Sequence, residues 1–133
     1  MTDPISILIV DDHEVVRKGL RGYLETLPEF NVVGEAASGE EALALVAEYI
    51  PDVVLMDLIM PGMDGVETTR RVKKISPRTQ VVVLTSYHED IHIFPALKAG
   101  AVAYILKDMK MDKLADTIQR AVRGEIILHP LVA

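Results

Sequence analysis

Three aspartates, a threonine and a lysine each stand directly after a short apolar run. Asp11 and Asp12 follow residues 5–10, Asp57 follows residues 53–56, Thr85 follows residues 81–84 and Lys107 follows residues 103–106. Runs of this length and character read as buried strands. In an open parallel sheet, ligands bind in the crevice beyond the carboxyl ends of the strands, so these five side chains converge where chemistry is usually done. Three carboxylates placed together there repel one another unless protons or a cation intervene. A hard divalent ion with oxygen ligands resolves the repulsion, and Mg²⁺ takes one or two carboxylates, keeps several waters and binds a phosphate oxygen as well. Asp12 and Asp57 are the expected ligands, with Asp11 reaching the ion through water. A carboxylate held beside such an ion can attack activated phosphorus and become an acyl phosphate. Lys107 would then balance the phosphoryl charge, and the Thr85 hydroxyl would donate to one of its oxygens. Taken singly, each residue has an ordinary reading: Asp11 or Asp12 as a helix cap, Asp57 as a loop cap, Thr85 as a strand residue, Lys107 as a solvated charge. Their joint placement is what points to a site.

The elements that must position these residues follow from periodicity. After the first strand, Val16, Leu20, Tyr23, Leu24 and Leu27 keep the spacing of one helix face until Pro28. Residues 32–37, containing Gly34 and Glu35, form a weaker strand. Ser38 and Glu41 open a second helix with Leu43, Val46, Ala47 and Ile50 inward, and Pro51 ends it. Past the third strand, Asp64 and Glu67 cap a helix carrying Val66, Thr69, Val72 and Ile75. A fourth helix is expected from about Phe94, placing Pro95 in its first turn, to Gly100. Asp112 is expected to cap a fifth helix, with Leu114, Ile118, Ala121 and Val122 inward and Gly124 as its stop. Five strands alternating with five helices give right-handed crossovers and a parallel sheet covered on both faces. The nearly all-apolar first, third and fourth strands belong in its centre and the second at an edge. The expectation is therefore a doubly wound, flavodoxin-like α/β sheet of order 2-1-3-4-5.

With 133 residues, half of them hydrophobic, the chain makes one domain with a sizeable core. It has no cysteine, which excludes disulfides and thiolate chemistry. No apolar run approaches the roughly 20 residues that span a bilayer, and no signal-peptide pattern opens the chain, so a cytoplasmic location is expected. A net charge of −6 argues against a nucleic-acid surface on this segment and suits a cation. His13, His88, His92 and His129 show no zinc spacing with the carboxylates and read as surface residues, His13 as a solvated side chain at a helix start. Met60 and Met63 read as loop packing.

As a set, Asp11-Asp12, Leu55-Met56-Asp57-Leu58-Ile59-Met60-Pro61, Met63-Asp64-Gly65, Val83-Leu84-Thr85-Ser86, Lys98-Ala99-Gly100-Ala101 and Tyr104-Ile105-Leu106-Lys107 resemble the response-regulator receiver domain of bacterial two-component signalling. The resemblance covers residues 5–124. It implies that Asp57 accepts a phosphoryl group from the histidine of a partner kinase, that Asp11 and Asp12 serve Mg²⁺, and that the backbone carbonyl of Ile59 is a further ligand. It also implies a switch in which Thr85 moves toward the phosphoryl group and Tyr104 turns inward. Lys107-Asp108, where many receivers have Lys-Pro, withdraws the expectation of a cis peptide there. That pair and the chain from Gly124-Glu125 onward resemble the subgroup with a LuxR-type helix-turn-helix output. Residues 1–124 are thus read as the receiver. Residues 125–133 are read as the start of a linker to an output domain that would carry the DNA contacts, with phosphorylation driving homodimerisation. A stand-alone receiver acting by protein contact is the alternative. An aspartate-nucleophile phosphatase would need a second acid two residues after Asp57, where this chain has Ile59. A pseudo-receiver would lack one of the acid, hydroxyl or lysine groups, and none is missing. The expected role is a phosphoacceptor rather than an enzyme acting on other substrates.

Overall fold

The computed structural model describes residues 3–86 and 90–128, for residues 90–92 the backbone alone. Strands β1 (Ile5–Val10), β2 (Phe30–Ala36), β3 (Val53–Met56), β4 (Gln80–Thr85), β5 (Ala103–Leu106) and β6 (Ile127–Leu128) alternate with helices α1 (Glu14–Leu24), α2 (Gly39–Tyr49), α3 (Gly65–Ile75), α4 (Asp90–Ala99) and α5 (Met111–Val122). The sheet is parallel throughout and ordered β2-β1-β3-β4-β5-β6. The expected five-strand order and the edge position of β2 hold. The addition is β6, which pairs Ile127 with Ala103 and Leu128 with Tyr104.

Because side chains alternate along a strand, β1 feeds two cores. Ile7 and Ile9 join Leu20 and Leu24 of α1 and Leu114, Ile118 and Ala121 of α5 on one face. Leu8 and Val10 join Ala42 and Val46 of α2, Val72 of α3, and Ile93 and Ala96 of α4 on the other. A strand buried on both faces has no polar position to spare, which is why β1, β3 and β4 read as continuous apolar runs.

Several helix details differ from the sequence reading. Helix α4 begins at Asp90, so Pro95 lies inside it rather than in its first turn. The proline deprives only the carbonyl one turn earlier of its donor, while Ile93 and Ala96 are buried against the sheet on either side of it. Lys110 rather than Asp112 is the N-cap of α5, without a side-chain cap bond, and Asp112 sits in the first turn. There its charge faces the positive end of the helix dipole. Gly124 (φ +85°) closes α5 as expected, with its amide on the Ala121 carbonyl at 2.9 Å and that of Glu125 on Arg120 at 3.2 Å, a Schellman pair. Val122, Ala47 and Ile50, expected inward, are exposed, as is Ile75 of α3. In α2 the buried face is instead Gly39, Ala42 and Val46, because a Cβ on Gly39 would overlap the Thr68 hydroxyl and stand 3.1 Å from the Met63 Cβ. Small residues let α2 lie close to α3. Strand β2 begins at Phe30, two residues earlier than expected. The expected caps of α2 and α3 form: Ser38 accepts from the Glu41 amide at 3.2 Å and Asp64 from the Glu67 amide at 2.9 Å.

Gly65 closes the loop after β3. Its amide donates to the Leu58 carbonyl at 2.9 Å. A Cβ there would overlap the Asp57 carbonyl oxygen and lie 2.6 Å from the Leu58 Cα, both fixed backbone. Gly65→Ala is expected to lower unfolding free energy in urea by about 3 kcal/mol, as overpacking against backbone does. Gly19→Ala, in the middle of α1 with nothing within 4 Å of the new methyl, is expected to raise it by about 0.5–1 kcal/mol.

Candidate functional site

The ladders of the sheet continue one residue past the strand ends, and this fixes the reactive positions. The Asp11 amide donates to the Ala36 carbonyl at 3.0 Å, that of Asp57 to Val10 at 3.0 Å, and that of Lys107 to Thr85 at 2.8 Å. Asp11 and Asp57 are buried, 2% and 4% exposed. Lys107 reaches over both, its Nζ 2.7 Å from Asp11 Oδ2 and 3.5 Å from Asp57 Oδ2. It therefore leans on Asp11 more closely than on the expected phosphoacceptor. Beside it opens a cavity of about 230 Å³ lined by His13, Asp57, Ile59, Ser86 and Lys107. Thr85 is fully buried immediately behind Ser86. Tyr104 is also fully buried, within the core cluster shared by α2, α3 and α4, so its ring already occupies an inward position. Among the described residues no peptide bond is cis, that after Lys107 included.

Burial pushes the Asp57 carboxyl above the usual aspartate range, and the Asp11 carboxylate adds to the effect while Lys107 opposes it. One ligand atom from each of Asp11, Asp12, His13 and Asp57 lies within 4.8 Å of all the others. Asp12 Oδ1 is buried without a hydrogen bond, with His13 Nδ1 3.2 Å away. An orphaned carboxylate oxygen among crowded acids, with a single lysine to balance them, is a donor set that fits a hard divalent cation.

The structure thus brings together Asp11, Asp12, Asp57, Lys107 and Ile59, with Thr85 one residue back from the cavity. For His13 the sequence predicts a solvated side chain. It is 64% exposed, yet its Nδ1 lies 3.0 Å from Asp11 Oδ1 and its amide donates to the same oxygen at 2.8 Å. Two other residues were missed. Arg17 donates through Nη1 to the Asp11 carbonyl at 2.6 Å and through Nε to Glu35 Oε1 at 3.2 Å, and Arg21 holds the other oxygen of Glu35 at 2.9 Å. Arg17 falls one turn after His13 on α1, and that spacing was the available signal. His88, His129 and the side chain of His92 lie outside the described residues.

A folded-state pKa above the unfolded one means that the fold favours protonated Asp57. That contribution to stability is present below the ordinary aspartate range and is lost as pH rises through the raised value. Without divalent ions, Asp57→Asn is therefore expected to melt above the wild-type chain at neutral pH. The gap should close below about pH 4, where the wild-type carboxyl is protonated in both states. Calorimetric scans across that range check it.

Residues 7–119 match the family described as the response regulator receiver domain. The chain is 48% identical over 128 residues to the response regulator protein VraR of Staphylococcus aureus, covering 96% of this chain and 61% of that protein. It is 44% identical over 129 residues to the transcriptional regulatory protein LiaR of Bacillus subtilis, covering 97% and 61%. It therefore spans about three fifths of the length of these relatives. Among solved structures, a LuxR-family two-component response regulator from Aurantimonas superposes with a TM-score of 0.91 at 33% identity, covering 98% of this chain and 93% of that one. A strand-end acidic pocket on a 2-1-3-4-5 sheet and a match over residues 7–119 agree: this chain belongs to the response-regulator receiver family.

Proposed function

We propose that Asp57 accepts a phosphoryl group from the phosphohistidine of a sensor kinase. The observation that supports this most directly is the burial of Asp57 between Asp11 and Lys107 at the mouth of an open cavity. In the transfer the donor nitrogen–phosphorus bond breaks, a bond forms from an Asp57 carboxylate oxygen to phosphorus, and the imidazole departs with the electron pair. Asp11, Asp12, Asp57 and the Ile59 backbone carbonyl would hold Mg²⁺, which supplies charge neutralisation for the phosphoryl oxygens. Lys107, now shared between Asp11 and Asp57, would turn to those oxygens, and the Thr85 hydroxyl would follow. Arg17 keeps the Asp11 backbone in place through the carbonyl it binds.

On this reading the domain catalyses only its own phosphorylation and dephosphorylation, works in the cytoplasm, and reports through Thr85 and Tyr104 to the face made by α4 and β5. Residues 1–124 form the receiver and residues 125–133 begin a linker to a DNA-binding output domain, in keeping with the transcriptional role in the name of LiaR. Paired delivery of such a domain needs a two-fold dimer, since half-sites on DNA mirror two-fold proteins.

Incubation with a small acyl-phosphate donor and Mg²⁺ should add one phosphoryl group to the intact mass of the wild-type chain and none to Asp57→Asn. A phosphorylated Asp57→Asn variant would remove Asp57 from the role. Sedimentation with and without beryllofluoride as phosphoryl mimic should show monomer turning to dimer at tens of micromolar chain. A monomer under both conditions would remove phosphorylation-driven dimerisation from this segment.

A further inference from the structure

The imidazole of His13 lines the pocket and has no part in the proposed phosphoryl transfer. It belongs to an exposed side chain, yet its Nδ1 is 3.0 Å from Asp11 Oδ1 and 3.2 Å from Asp12 Oδ1. Two neighbouring ligands at about 2.1 Å from one ion stand roughly 3.0 Å apart in octahedral and roughly 3.4 Å apart in tetrahedral geometry. The separations of Nδ1 from the two oxygens fall in that range, and one ligand atom from each of Asp11, Asp12, His13 and Asp57 lies within 4.8 Å of the others. Lys107 takes the other oxygen of Asp11, which leaves Oδ1 turned to His13. The buried Asp12 Oδ1 has no hydrogen bond to give up on binding a metal. Without an ion, an N–H at Nδ1 donating to Asp11 Oδ1 accounts for that contact.

The chemistry separates two kinds of ion. Mg²⁺ prefers oxygen and keeps its waters, so it has no use for an imidazole. Zn²⁺ and its borderline neighbours favour one, and bind a mixed nitrogen and oxygen set more tightly than Mg²⁺ does. We propose that His13 is a facultative ligand of this pocket, idle toward Mg²⁺ and coordinating when a borderline ion of the Zn²⁺ type enters beside Asp11, Asp12 and Asp57. The ring is exposed apart from its contacts with Asp11 and Asp12, so it can swing in or away without repacking the core. A borderline ion held in this way ties the first residue before α1 to the pocket and competes directly with Mg²⁺. The inference rests on the divalent-cation site proposed above.

Calorimetric titration of the full chain at fixed pH with Mg²⁺ alone and with Zn²⁺ alone, for wild type and His13→Ala, tests it. X-ray absorption with one equivalent of Zn²⁺ adds a direct reading of the ligands. His13→Ala is expected to weaken Zn²⁺ by about tenfold or more and leave Mg²⁺ within about twofold. The imidazole outer-shell scattering of the wild-type Zn²⁺ spectrum should be missing from the variant. Asp12→Asn should weaken both ions, which places them at one site. Equal Zn²⁺ affinity in wild type and His13→Ala, or imidazole scattering that persists in the variant, overturns the role of His13 while leaving the Mg²⁺ site standing. Failure of Mg²⁺ to bind the wild-type chain overturns the cation site and this inference with it.

Discussion

Mutual repulsion among Asp11, Asp12 and Asp57 is the constraint on which the rest of this structure depends. Two of the three are buried, and in a medium of low dielectric like charges at this distance are costly enough to hold a carboxyl partly protonated or to demand a counter-charge. One lysine spans two of them, bound more closely to Asp11 than to Asp57. Burial raises the affinity of Asp57 for a proton, and the Asp11 carboxylate adds to it while Lys107 opposes it. A divalent ion relieves the same repulsion without neutralising the nucleophile. Proton and metal are in this sense alternative ways of settling one electrostatic imbalance.

Holding such a group in place requires rigid backbone, and the sheet supplies it. The parallel ladders run on into Asp11, Asp57 and Lys107, so each side chain leaves a backbone already hydrogen-bonded to its neighbouring strand. Around them the support is short-range. Arg17 and Arg21 converge on Glu35 from α1, so the edge strand β2, without a reactive residue of its own, still anchors the Asp11 carbonyl through Arg17. Gly65 lets α3 start against the Asp57 backbone itself. Beyond the site, Leu128 of β6 pairs with Tyr104 of β5.

The sheet was legible because central strands buried on both faces leave an unmistakable pattern, and a polar residue ending such a run marks the carboxyl edge. Asp57 after Val53–Met56 and Lys107 after Ala103–Leu106 were read on that basis alone. Helix details were less legible because tertiary packing chose among near-equivalent faces. Gly39 and Ala42 turn α2 toward α3, and no periodicity of large residues announces that. In α4 the burial of Ile93 and Ala96 outweighs the proline between them. The contacts of His13, expected as a solvated side chain, and of Arg17 are illegible in the sequence for a different reason. Their partners are a carbonyl, two neighbouring carboxylates and a strand residue eighteen positions away, contacts that depend on where α1 starts relative to β2. The two-residue β6 is too short to show alternation, and only its pairing with β5 defines it.

The central claim is chemical: the phosphoryl group rides on the Asp57 carboxylate and on no other side chain. Borohydride reduction of the phosphorylated chain followed by peptide mapping reads this directly, because an acyl phosphate is reduced to an alcohol whereas phosphate on a hydroxyl or an imidazole is not. The expected result is homoserine at position 57, with Asp11 and Asp12 unchanged. Phosphate that survives reduction on Ser86, Thr85 or His13, or a homoserine at position 11 or 12, would contradict it.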